Sequence, residues 1–160
     1  MSARFVSSVA VALFSVTSPS LFAAGNRPVD IPERARGARS VVVARTAEVS
    51  PVWQTNEFGD LLIVSQVRLE VEETLKGAPV SSFWMNVEGG TLNGVTLRVS
   101  SLPAMERGER GVFFVDEMPD GTRVPHGKGL GILKLDRSEQ VQGTSLLLRD
   151  IRRMVQNAGR

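Results

Sequence analysis

A single histidine, His126, is the only side chain in this 160-residue sequence whose ordinary titration range spans neutrality. Ser and Asp are plentiful, so a Ser-His-Asp arrangement is arithmetically open to it. No Ser, however, stands in a G-x-S-x-G elbow or another local nucleophile signature. His126 instead heads a glycine-dense run, HGKGLG (126–131), where an imidazole reads as a turn residue. One His and no Cys give no basis for a zinc or transition-metal centre, which combines several such ligands. Asp116, Glu117 and Asp120 could attract Ca²⁺, but they lack the spaced Asp/Asn-Gly-Glu pattern of a calcium loop and read as a solvated hairpin end. Gly121 and Gly127-Lys128-Gly129 imitate a phosphate loop and fail it twice. Five residues intervene rather than four, and Gly rather than Ser or Thr follows the Lys. Glu70 and Glu72 share a strand face about 7 Å apart. With Glu73 they lie among polar neighbours, with nothing to tune a catalytic carboxyl, and read as a solvated face. No catalytic constellation and no cofactor motif emerges.

Trp53 and Phe58 carry a different chemistry. Both fall in SPVWQTNEFGD (50–60), which reads as a connection between two strand-like runs. Large aromatics on a connection are favoured anchors of binding interfaces. The competing reading folds one or both back over the body of the domain.

The elements that must position these residues are mostly strands. From Ile63 to Val71 apolar residues alternate with Gln66, Arg68 and Glu70, the period of a half-buried strand. Val41–Val43 open its partner with β-branched residues suited to a pleated surface. The two strands are expected over 41–49 and 61–74. A third is expected over 82–88, with Phe83, Met85 and Val87 on one face and Trp84, Asn86 and Glu88 on the other. EGGTLNG (88–94) ends in Asn-Gly, a strong hairpin signal, ahead of a fourth strand carrying Val95, Leu97 and Val99. Residues 111–117 hold VFFV, apolar on both faces and so the most buried strand. A Pro-Asp-Gly turn, a short return at 122–124 and a last strand at 132–136 follow. The period then changes: Leu147, Ile151, Met154 and Val155 form a helical stripe over 144–158, with Thr144 as its expected N-cap. That stripe is expected to pack on the β domain.

Residues 1–25 read as a secretory signal peptide. Arg4 supplies the positive start, Val9–Val16 the apolar run, and Ala23 and Gly25 a small-x-small cleavage site. The apolar run is short and interrupted by serines, which argues against a retained span. No Cys follows it to take a lipid. Residues 26–39 read as a polar, Arg-rich lead-in with a short helix that Asp30 would cap and Pro32 would open. Its arginines could form a basic docking arm; a solvated cover over one end of the domain is the plainer reading.

The net charge is only +2, although the pI is 9.7. Nineteen basic side chains include three Lys, and there is no Tyr or Cys, so little titrates between neutrality and the lysines. The high pI therefore reflects composition rather than a basic surface. With few aromatics for stacking, it gives no support for a nucleic-acid partner.

The runs VVVARTAEV (41–49), VRLEVEETLKGAP (67–79) and GERGVFFVDE (108–117) resemble a type of small exported bacterial protein. Its pattern is a valine-rich first strand, a second strand ending Leu-Lys-Gly, and Gly-Glu-Arg before an aromatic strand. Such proteins are similar to the netrin/tissue-inhibitor-of-metalloproteinase modules. The resemblance, over about 38–136, implies a small OB-type β-barrel at 40–137. Those inhibitors use an N-terminal Cys to chelate zinc, and this chain has no Cys, so that mechanism transfers to no residue here.

The sequence thus points to a mainly β domain, a small OB-like barrel with a C-terminal amphipathic helix. The expected function is an exported, non-catalytic binding module for another exported protein or envelope component, with no membrane span after cleavage. Trp53, Phe58, His126 and Lys128 are its expected contact residues. The alternatives are a small periplasmic hydrolase using His126 and a structural accessory of an envelope assembly.

Overall fold

The computed structural model describes residues 30–56 and 58–159. The expected signal peptide and residues 26–29 of the lead-in lie outside the described residues.

Two long strands, β1 (Ser40–Thr55) and β2 (Leu61–Lys76), form an antiparallel hairpin, and β3 (Ser82–Glu88) pairs with the far edge of β2. β6 (Arg110–Glu117) pairs with the first six residues of β1. Its other edge carries both β7 (Arg123–Pro125) and β8 (Ile132–Leu135), which act as one strand interrupted at 126–131. β4 (Gly90–Leu92) and β5 (Val95–Leu97) form a separate two-stranded hairpin turning at Asn93-Gly94. The chain is flanked by α1 (Ile31–Gly37) and α2 (Leu148–Ala158). The fold is mainly β with a C-terminal helix, as the alternation and the change of period predict.

Both faces of the central strands are buried, which explains why VVVA and VFFV show no polar phase. Val41, Val43, Val112 and Phe114 face one way, into a core closed by Ile31 and Ala35 of α1 and by Leu148, Ile151 and Val155 of α2. Val42, Ala44, Phe113 and Val115 face the other way, onto Val67, Leu69, Phe83 and Met85. Burying each such side chain is worth about 1.5–3 kcal/mol before entropy is counted, so these layers dominate stability. The helix of the lead-in is part of the core, not a solvated cover. Its cap is as expected: the Asp30 carboxylate accepts the Glu33 N–H at 2.9 Å.

The sheet curls until its two ends, β3 and β7, face each other. The Arg123 guanidinium lies 4.9 Å above the Phe83 ring, but no backbone ladder joins the two strands.

Three further expectations are corrected. β1 does not end at residue 49: after a bulge between Thr46 and Glu48 it continues to Thr55, so the 50–60 connection shrinks to a tight turn at 56–60. Asn56 organises that turn, its side-chain oxygen accepting the Phe58 and Asp60 N–H groups at 2.9 Å. The fourth strand stops at Leu97 and pairs with β4 rather than extending the main sheet. The C-terminal helix starts at Leu148, with Leu147 at the N-cap position. Thr144 belongs to the preceding turn, its hydroxyl donating to the Val141 carbonyl at 3.0 Å, and Leu148 rather than Leu147 enters the core.

Candidate functional site

The distal part of the first hairpin, roughly residues 49–67, extends past the end of β6 as an arm. Trp53 is not on a loop but on β1, directly across from Ile63; it is 44% exposed. Thr55 and Leu61 form the next pair on the same face, with Leu61 61% exposed, and Phe58 on the turn is 80% exposed. Trp53 and Phe58 therefore do not fold back into the core, and Leu61, which the sequence reading passed over, joins them. Three large apolar side chains are thus exposed towards one end of the arm.

Beside the arm lies a cleft of about 630 Å³. Val49, Pro51 and Ser65 form its floor, and Leu102, Pro103 and Met105 line it from the connection before β6. The Ser65 hydroxyl is already committed, donating to the Gly89 carbonyl at 2.7 Å. A backbone crossing over Pro51, Ile63 and Ser65 requires glycine at position 90, where a Cβ would come within 2.6 Å of the Ser65 oxygen. Arg98, Glu88 and Glu106 put charge of both signs around the cleft, without convergence on one point. A second hollow of about 150 Å³ sits on the opposite face of the arm, between Leu62, Asn86 and Val124.

Trp84 is the other residue that sequence reasoning left among the solvent-facing positions. It is 46% exposed on β3, across from Arg68, whose guanidinium meets Glu70 at 3.1 Å and Glu48 at 3.8 Å. A tryptophan in the polar phase of a strand, beside Asn86 and Glu88, is the signal that could have singled it out.

His126 sits elsewhere, at the end of β7 against α1. Its Nδ1 lies 2.9 and 3.0 Å from the Asp116 carboxylate oxygens. Its opposite edge rests on Gly37, where a Cβ would come within 2.7 Å of the ring. The imidazole is thus held between a carboxylate and a helix end, and lines neither cleft. The loop that follows is pinned in the same way. The Arg34 side chain donates to the Leu130 carbonyl at 2.6 Å. Burial pulls the Arg34 pKa below its ordinary value, against Asp30 and Glu33, which raise it. Gly129 touches the Ser101 carbonyl so closely that a methyl group there would overlap it. Lys128 is exposed at φ +58° on this loop. The structure therefore gives the four expected contact residues two separate settings. Trp53 and Phe58 are on the arm; His126 and Lys128 are on a loop built against α1.

The acidic stretch of β2 also has a structural role. Glu72 receives Arg110 at 2.6 Å, Arg110 reaches Glu139 at 3.0 Å, and Arg152 of α2 grips Glu73 at 2.8 Å. The hydrogen bond that Arg110 donates to Glu72 is the main reason its pKa is raised, outweighing desolvation; the bond that Arg152 donates to Glu73 does the same for Arg152. Glu72 therefore ties β2 to β6 and Glu73 ties β2 to α2, so the acidic stretch is more than a solvated face.

Among the described residues no helix is long and apolar enough to cross a membrane, and no group of three or more His, Asp or Glu could hold a metal ion. No protein-family model matches the chain, and no characterised protein matches its sequence.

Proposed function

We propose that this chain is an exported, non-catalytic binding module that contacts a protein partner of the same compartment through the arm of its first hairpin. The observation that carries this reading is the exposure of Trp53, Phe58 and Leu61 together at the end of one paired hairpin. Aromatic anchors on ordered backbone bind at low entropic cost, because little must be immobilised on contact. The curled sheet, with Arg123 stacked on Phe83 where its ends meet, supports an OB-type barrel related to the netrin modules. Export rests on the apolar and small-residue pattern of 1–25. A hydrolase reading lacks its nucleophile: Asp116 orients His126 through Nδ1, but the Nε2 edge abuts Gly37 and no hydroxyl among the described residues is bonded to it.

A photo-reactive residue replacing Phe58, activated in the host, tests the surface; one replacing Leu130 serves as control. A reproducible protein adduct from position 58 that disappears with Trp53→Ala is the expected result. Equal labelling from both positions, or no change with Trp53→Ala, sinks the assignment. Mass spectrometry of the accumulated protein tests export: a chain beginning at Asn26 is expected, and an intact Met1 refutes it.

A further inference from the structure

The backbone of the arm identifies its partner more closely than its side chains do. The Asn56 N–H donates to the Asp60 carbonyl at 2.9 Å, so residue 56 turns its backbone towards β2. In an antiparallel ladder that direction alternates, so 54, 52, 50 and 48 also face β2 while 49, 51, 53 and 55 face away. Two facts fix the phase independently. The carbonyl of Ile63, opposite Trp53, points outward from the hairpin to the Gly89 N–H at 2.8 Å. Pro51, the one residue of β1 with no N–H to give, falls on the outward set, where a ladder bond is not lost. Nearer the body that edge is occupied. β6 covers 40–45, and Thr46 exchanges both backbone bonds with Glu109 and Gly108. Beyond Thr46, no backbone partner among the described residues meets the outward N–H groups of Val49, Trp53 and Thr55. An edge of this length, flanked by exposed apolar side chains, is a template for another strand.

We infer that the strand it accepts is the same edge of a second copy, paired antiparallel about a twofold axis at Val52. This rests on the reading of the arm as the contact surface and names its occupant. The edge is complementary to itself in that register. Val52 meets the partner's Val52, Trp53 lies across from the partner's Pro51, Val49 from the partner's Thr55, and Ser50 from the partner's Gln54. No charged residue between 49 and 55 faces another. The Trp53 N–H reaches the partner's Pro51 carbonyl, so the missing proline donor removes only the reciprocal bond. A one-step slip that puts Pro51 across from the partner's Pro51 loses both bonds of its central pair. The Val52 register confines the pairing to 49–55, the stretch of edge beyond the bonds that Thr46 makes with Glu109 and Gly108.

The chain has no cysteine, so one introduced thiol reports the geometry alone. Val52 and its mate form a non-hydrogen-bonded pair with Cα atoms about 4.5 Å apart, within disulfide reach. Val52→Cys is expected to give a covalent dimer on mild oxidation, and Gln54→Cys, which faces the partner's Ser50, is not. Sedimentation of the unmodified protein should show a dimer. Val52→Lys sets like charges across the axis and should weaken it at least about tenfold. Thr55→Pro removes an outward donor without touching the arm's own ladder, and should weaken the dimer too. A monomer at roughly 100 μM, well above the dissociation constants of specific dimers, overturns the inference. So does a dimer indifferent to both variants. A monomer whose position 58 still crosslinks to a different protein refutes self-pairing and leaves the binding reading standing. A monomer whose Trp53 and Thr55 amides exchange slowly also refutes it, because the edge is then covered by the chain itself.

Discussion

The ammonium group of Lys76, the last residue of β2, lies 2.6 Å from the carbonyl oxygen of Ala38, at the end of the helix it closes. The same nitrogen donates to Ala35 at 2.6 Å and Arg36 at 3.1 Å, so one lysine satisfies three carbonyls where α1 ends. A cation there also complements the helix dipole. This gives Leu-Lys-Gly a physical meaning. Leu75 packs on the helix-side core, Lys76 caps α1, and Gly77 turns at φ +96° with Ser40 close beside it. Lys76→Met keeps the aliphatic stem and removes the cap. It should cost about 1.5–3 kcal/mol in urea unfolding, the range for hydrogen bonds to a charged group. A midpoint unchanged from the parent protein would show that water replaces the lysine.

Gly129 and Gly121 separate two reasons for glycine. A methyl at 129 would overlap the Ser101 carbonyl, a backbone atom that cannot swing aside. Gly129→Ala should therefore cost more than about 3 kcal/mol or prevent folding. Gly121 has open space and φ +83°, so Gly121→Ala should cost only about 1–2 kcal/mol, the strain of a left-handed residue. Thermal melts of the two variants check the order.

Arg152 and Glu73 join the last helix to β2 across a partly exposed surface. Solvent screening limits such pairs, so a double-mutant cycle with Arg152→Ala and Glu73→Ala should return a coupling of about 0.5–1 kcal/mol. The coupling should shrink in 1 M salt, where the Debye length is about 3 Å. A coupling that salt leaves unchanged would contradict an electrostatic origin.

Asp136 organises the turn after β8, accepting from the Ser138 side chain at 2.7 Å, the Ser138 N–H at 2.8 Å and the Gln140 N–H at 3.0 Å. The bond from Ser138, then that from Gln140, lowers its pKa below the ordinary 3.8. A carboxyl lowered on folding favours the native state above its unfolded pKa, and that contribution is lost as pH falls through the native value. The Ser138 and Gln140 amide signals should accordingly titrate with a midpoint below 3.8. In Asp136→Asn that titration should vanish.

The sequence determined the strands wherever burial on one face imposed a period of two. Phe83, Met85 and Val87 are buried and Trp84 is not, as alternation requires. It also determined the local chemistry of the Asp30 cap and of the Asn93-Gly94 and Pro119-Asp120-Gly121 turns, because those interactions span only a few residues. It placed large aromatics at 53 and 58. Tertiary structure decided what no local pattern encodes. Lys76 and Ala38, His126 and Gly37, and Gly129 and Ser101 are each brought together from distant parts of the chain. Most of all, it decided that β1 runs on to Thr55 while β6 leaves it at Arg45. Pairing partners depend on where the other strands end, so the edge of the arm that no other described strand covers, and Trp53's place on it, became visible only once the sheet was assembled.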